Sequence, residues 1–133
     1  MVAEITKIID EMVFRAFTLR LREDGILHRH ISNHVEYTKE SLKGLNRIIG
    51  EMVNYKPVPL IISADDFVIF PPKINETIAK KSTFPYTNAA AYITKTTAHK
   101  LMVSIYINST IPGRPTKMFP NEDEAVIWLK TFL

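Results

Sequence analysis

The sequence contains no cysteine. That absence excludes disulfide bonds, thiol chemistry and cysteine-ligated zinc or iron–sulfur sites, and it suits a reducing cytoplasm, where we expect the protein to be located. Only four of the 133 residues are glycine. The sequence has no phosphate-binding loop, no dinucleotide-binding glycine pattern and no nucleophile elbow. It therefore favours a protein that is not an enzyme, and it predicts no cofactor.

Long apolar runs and blocks of like charge are also missing. No apolar stretch approaches the ~20 residues that a membrane-spanning helix needs, and the N-terminus lacks the basic segment and apolar run of a signal peptide. The net charge is +3, but Lys and Arg are interspersed and form no basic stripe of the kind that nucleic-acid-binding proteins show. We therefore predict one domain, with no membrane span and no nucleic-acid partner.

An aliphatic segment near the middle of the chain, residues 58–64, predicts the central strand of a sheet. Pro57 and Pro59 bound its start, and Asp65 and Asp66 follow its end. Prolines are tolerated at the first residues of a strand but not inside a helix. A short run that is apolar on both faces is typical of a strand that is buried on both faces.

A β-hairpin is predicted before this strand. Polar and apolar residues alternate in the region 14–22, a tight-turn signal follows at 23–25 with Gly25 supplying a positive φ, and 26–31 would return antiparallel. The polar face of this hairpin indicates an edge of the sheet. Residues 1–13 fit either a short helix or an extended N-terminal arm.

The rest of the chain alternates between predicted helices and strands. Helix caps and apolar stripes place four helices, and further strands are expected at 89–93 and 116–119. Such alternation implies parallel pairing after the hairpin. We therefore predict an α/β domain over residues 14–133, an open mixed sheet of about five strands with about four helices. The expected helix starts are Thr38, Lys73, Thr96 or Thr97, and Asn121.

Three segments resemble a known family. Leu-Arg-Glu-Asp-Gly-Ile-Leu-His (21–28), Tyr-Lys-Pro-Val-Pro-Leu-Ile-Ile-Ser-Ala (55–64) and the closing segment 115–130 are similar to a branch of uncharacterised, Bacteroidetes-type STAS-like proteins. The resemblance covers roughly residues 14–133. It implies a SpoIIAA-like fold and a bacterial, non-enzymatic domain that regulates by protein–protein contact.

The segment after the central strand departs from the pattern of the STAS regulators. Those proteins carry Asp-Ser-Ser-Gly there, with a serine that is phosphorylated. Residues 65–72 of this chain contain neither Ser nor Thr, and Ser63 lies inside the predicted strand. The resemblance therefore implies an interaction module that lacks the phosphorylatable serine switch, with an unknown protein partner or a second copy of the chain as its target.

The carboxyl edge of the predicted sheet carries the candidate site, because ligands of open α/β sheets bind there. Asp65 and Asp66 would lie at its edge and bind a cation or contact a partner. Alternatively, one of them would cap backbone N–H groups while the other is solvated. Lys95 and Thr96 would hold an anion at a helix start, or form a surface charge and an ordinary cap. The candidate partner- or ligand-binding residues are Asp65, Asp66, Phe67, Phe70, Lys73, Lys95 and Thr96.

The apolar run 67–70 leaves the function open between a protein partner and a small apolar or lipid-like ligand bound between this loop and the sheet. A run folded beneath the helix at Lys73 would instead be satellite core.

A third hypothesis is a catalytic or metal site at the carboxyl edge of the sheet, on Asp65, Lys95 or the pair His28 and His30. His28 and His30 share a strand face and His34 follows, but no further ligand has a suitable spacing. We therefore expect solvated histidines on an edge strand and predict no metal. His99 stands alone on its helix.

Overall fold

The computed structural model describes residues 7–35 and 38–133. Its six strands are β1 (Ile8–Val13), β2 (Phe17–Arg22), β3 (Leu27–Ile31), β4 (Val58–Ala64), β5 (Thr87–Ile93) and β6 (Thr116–Phe119). Its helices are α1 (Lys39–Met52), α2 (Asn75–Ala79), α3 (Thr97–Ser109) and α4 (Glu122–Leu129), with short 3₁₀ turns at Pro72–Ile74 and Lys130–Phe132.

The strands form one sheet in the order of the sequence, β1-β2-β3-β4-β5-β6. β1, β2 and β3 pair antiparallel, whereas β3 to β6 are parallel. β4 has the predicted bounds, and parallel neighbours flank it on both sides. The predicted α/β class, with a mixed sheet, a hairpin and four α-helices, is confirmed.

The N-terminal segment corrects the prediction. Ile8–Val13 forms a strand that pairs with β2, so the short-helix interpretation is wrong and the hairpin does not form the edge of the sheet. The spacing of the apolar residues along this segment fits a helix. However, the backbone edge of β2 offers hydrogen bonds that a helix would leave unused. All six residues of β1 are exposed, so no helical stripe is buried. Residues 1–6 lie outside the described part of the chain.

The predicted helix caps are confirmed, with Thr96 rather than Thr97 capping α3. The predicted helix start at Lys73 is a 3₁₀ turn from Pro72, and α2 begins at Asn75. Each cap satisfies a helix-start N–H group that has no partner inside the helix. The cap side chains accept hydrogen bonds from backbone N–H groups three residues later: Thr38 from Ser41, Thr96 from His99 and Asn121 from Glu124.

Helices α1 to α3 lie on one side of the sheet, which we call the first face. Consecutive parallel strands that advance in one direction through right-handed crossovers place their connections on the same face. Leu45 and Ile49 of α1 pack with Leu60 and Ile62 of β4. Helix α3 packs on the same face, where the rings of Tyr92 (β5) and Tyr106 (α3) are in contact.

Helix α4 packs on the opposite side, the second face. Its Ala125 and Leu129 contact Ile61, Ala89 and Ala91 of β4 and β5. Most contacts of α4 with the sheet fall on β4, β5 and β6. The second face of β3 beside α4 therefore stays partly open, at His28 and His30. This opening positions the polar site.

Candidate functional site

A polar pocket of about 480 Å³ lies on the second face, at the carboxyl ends of β3 and β4 and beside the start of α4. We call it the histidine pocket. Three of the predicted site residues, Asp65, Asp66 and Lys95, line it together, as expected for residues that follow neighbouring parallel strands. The residues that share the pocket with them include His28, His30, Ser63, His99, Asn121 and Glu122.

A chain of short hydrogen bonds runs through this pocket. The Ser63 Oγ lies 2.7 Å from His28 Nε2 and 2.7 Å from His30 Nδ1. The other ring nitrogen of His30, Nε2, lies 2.8 Å from Asp65 Oδ1. The parallel register sets this arrangement, since His30 of β3 stands opposite Ser63 of β4 and Asp65 follows two residues later on the same side.

Burial and charge tune the groups at the ends of this chain. Burial lowers the pKa of His28 to about 4, partly opposed by the Glu122 carboxylate, whose Oε1 lies 3.8 Å from His28 Nδ1. The hydrogen bond from His30 is the main cause of a lowered pKa at Asp65. Arg22 contacts Glu122 at 2.8 Å, and so holds the start of α4 against β2.

Two interpretations of the histidines are settled by this geometry. The side chain of His28 is only 14% exposed and β3 is an inner strand, so the expectation of solvated edge histidines is wrong there. His34 lies on the first face, away from the other two. Within residues 7–35 and 38–133, no group of three His, Cys, Asp or Glu side chains is placed to hold a metal ion.

The remaining predicted residues have simpler surroundings. Asp65 also accepts a hydrogen bond from the backbone N–H of Asn33 at 3.3 Å, whereas Asp66 is exposed. Thr96 is the cap of α3. Lys73 is exposed on the 3₁₀ turn and is not among the described residues that line the histidine pocket.

The loop from 65 to 71 is partly core and partly surface. Val68 is buried, and its carbonyl accepts a hydrogen bond from His99 Nε2 at 2.9 Å. Phe67 and Ile69 are 86% and 73% exposed. Phe70 turns inward and its ring lies 5.5 Å from that of His99. The loop is therefore anchored by Val68 and Phe70, and it exposes Phe67 and Ile69 to solvent.

An apolar cavity of about 310 Å³ opens on the first face, between the sheet and α1. Phe70 of the 65–71 loop belongs to its wall. Arg29 of β3 also lines it, although this side chain is only 7% exposed, and its guanidinium carbon lies 5.1 Å from the centroid of the Phe84 ring. The apolar wall further includes Phe17, Ile31, Val35, Leu42, Leu45, Ile78 and Tyr92.

Sequence reasoning missed Ser63, Arg29 and Glu122 as site residues. Ser63 and Arg29 lie inside strands, where their positions beside partners on other strands follow from register. Glu122 reaches the pocket from the start of α4, a hundred residues after Arg22. The signal that was available is the alternation of β3, since His28 and His30 share one face and Arg29 points to the other.

Comparison with known proteins identifies a family but no function. The model of a domain of unknown function, DUF7793, matches residues 19–133. Neither the curated proteins nor the solved structures provide a significant match. No helix in the described part of the chain combines the length and the apolarity that crossing a membrane requires. The matched region begins in β2 and includes both pockets almost completely. Because the match covers most of the sequence, the chain belongs to the DUF7793 family.

Proposed function

We propose that this domain binds a small apolar molecule with one anionic group in the apolar cavity. The cavity of about 310 Å³ is the observation that carries the proposal. Protein interiors are close-packed, with few voids larger than a water molecule, whereas ligand pockets begin at about 300 Å³. An engineered cavity of about 150 Å³ holds benzene, so this one has room for about twice as many heavy atoms.

The charges around the cavity support an anionic group at one end of the ligand. Arg15 and Arg29 line it, together with the ring of His34. Arg29 is held inside the wall by β3, with its guanidinium over Phe84. Guanidinium groups bind carboxylates through charge-assisted hydrogen bonds, which makes a carboxylate the preferred head group.

Binding of decanoate and of decanol tests this proposal. In wild type, decanoate should bind at least about tenfold more tightly than the alcohol of equal chain length, because only the carboxylate pairs with a guanidinium. Arg29→Met keeps an apolar stem of similar length and should abolish that preference while retaining decanol binding. Equal affinities for both compounds in wild type and variant would refute the anionic head group.

A filling variant tests the cavity itself. Ala16 lines the cavity, whereas Ala98 is exposed on α3 and lines neither pocket. Ala16→Phe should occupy the space and weaken binding of both compounds, and Ala98→Phe is the matched control that should bind as wild type does. Unchanged binding in folded Ala16→Phe would place the ligand elsewhere.

A STAS-like interaction module is the second proposal, favoured by the two exposed side chains of the 65–71 loop. Phe67 and Ile69 stand on either side of the buried Val68, a pattern that presents apolar surface on a fixed backbone. We propose a cytoplasmic partner protein, or a second copy of the chain, as their contact. The absence of Ser and Thr from residues 65–72 implies contact without the phosphoserine switch.

Surface variants separate this second proposal from ligand binding. Phe67→Ala/Ile69→Ala should abolish self-association in sedimentation, or the capture of a specific partner from the source cell. Ile111→Ala removes an equally exposed apolar side chain outside the loop and should change neither. Identical association and capture by all three proteins would count against a contact surface at this loop.

A further inference from the structure

Three short hydrogen bonds link the side chains of the histidine pocket. The ionised Asp65 carboxylate only accepts, so His30 Nε2–H donates to it. In the tautomer that leaves Nδ1 of His30 without a hydrogen, the Ser63 hydroxyl donates to this nitrogen at 2.7 Å. Ser63 Oγ also lies 2.7 Å from His28 Nε2, and it accepts a hydrogen bond there when Nε2 carries the ring hydrogen. A serine, an imidazole and a carboxylate are thus linked in the order that activates a serine nucleophile.

His28, on the same strand face as His30, contacts the same serine hydroxyl. Its Nε2 lies 2.7 Å from the oxygen of Ser63, and in the tautomer with a hydrogen on Nε2 the hydroxyl hydrogen points at His30. The low pKa of His28 keeps this ring neutral near pH 7. The ring therefore adds no positive charge that would oppose protonation of His30, the event on which general-base catalysis depends.

The hydroxyl is also within reach of a reactant. Ser63 is half-buried and lines the open pocket of about 480 Å³ together with Lys95. A positive charge in the same pocket is of the kind that stabilises an oxyanion. The walls carry charges of both signs, from Asp66 and Glu122 as well as Lys95, which suits a short polar acyl group.

We propose that Ser63 is a nucleophile, that His30 is its general base, and that the pocket hydrolyses small polar esters. Ser63 Oγ bonds to the acyl carbon while His30 Nδ1 takes the hydroxyl proton. The bond to the alcohol oxygen breaks, and the departing alcohol receives that proton from His30. Water then attacks the acyl-serine ester, its proton passing through His30 to Ser63, and a carboxylic acid leaves. Asp65 and His28 are positioning residues. The activity is independent of the apolar cavity, which lies on the first face.

Acylation by para-nitrophenyl acetate tests the nucleophile directly. Wild type should release nitrophenolate and gain one acetyl group, which peptide mapping assigns to Ser63. Ser63→Ala should gain no acetyl group at position 63, and His30→Asn should be slower by about 100-fold, the lower end of what general-base catalysis contributes. Ser104 is a serine of α3 that lines neither pocket, and Ser104→Ala should react as wild type does. Acetylation confined to lysines, or an unchanged rate in Ser63→Ala, would overturn the proposal.

A thiol substitution gives a second measurement that does not depend on turnover. Because the chain has no cysteine, Ser63→Cys and Ser104→Cys each carry a single thiol. The pH profile of iodoacetamide alkylation should show a thiol pKa below ~7.5 for Ser63→Cys, since His30 accepts its proton, and the ordinary ~8.5 for Ser104→Cys. Adding Asp65→Asn to Ser63→Cys should raise the first value. Equal profiles for both single-thiol proteins would show that His30 does not act as a base.

Discussion

Replacing His28 by Gln should flatten the dependence of stability on pH. The fold lowers the pKa of His28 from 6.5 to about 4, so the unfolded chain binds this proton more tightly than the folded chain does. The free energy of unfolding is therefore unaffected by this shift above pH 6.5, and it decreases as the pH falls from 6.5 toward 4. The full shift corresponds to about 3 kcal/mol, of which about 2 kcal/mol is lost by about pH 5. Gln keeps an amide N–H for Ser63 but does not titrate.

Urea unfolding at about pH 7.5 and about pH 5 measures this difference. Fluorescence of the single tryptophan, Trp128, reports the transition. Wild type should lose about 2 kcal/mol more than His28→Gln between the two pH values. The lowered pKa of Asp65 also decreases the free energy of unfolding on acidification. Both proteins contain Asp65, so its contribution cancels in the difference between them. Equal losses in the two proteins would show that His28 is not a buried neutral ring.

Two matched pairs of substitutions test the packing. A Cβ at Gly44 would meet no atom within 4 Å, whereas one at Gly50 would come within 2.9 Å of the Tyr86 ring. In urea titrations Gly44→Ala should gain up to ~1 kcal/mol in unfolding free energy, and Gly50→Ala should lose about 1–3 kcal/mol; a gain in both would disprove the close contact. Ile61 is fully buried and Ile111 almost fully exposed, so Ile61→Ala should cost about 2–5 kcal/mol and Ile111→Ala less than about 0.5 kcal/mol. Similar values in thermal unfolding would contradict the assignment of Ile61 to the core.

The sequence was sufficient for the fold where its signals are local. The prolines and aspartates around β4 define its bounds, and Thr38 and Asn121 cap helices through atoms three residues away. β1 was missed because its pairing depends on the free edge of β2, which is a tertiary property. The spacing of its apolar residues in the sequence is compatible with a helix as well as with a strand.

The site was predictable only in outline. Asp65 and Lys95 were placed at the correct sheet edge, because every parallel strand ends there. Ser63 and His30 become partners only through the register of two strands that are thirty residues apart. The apolar cavity likewise depends on how α1 is seated over Arg29, and no spacing in the sequence specifies that.

Methyl NMR of the decanoate complex is the most direct measurement of the central claim, that the first-face cavity holds a small apolar anion. Intermolecular contacts should connect the acyl chain to Ile31, Leu45 and Ile78, which line the cavity, and leave Ile61 and Leu129 of the second-face core unaffected. Contacts scattered over exposed methyl groups such as those of Ile111, or an absence of contacts at saturating decanoate, would contradict it.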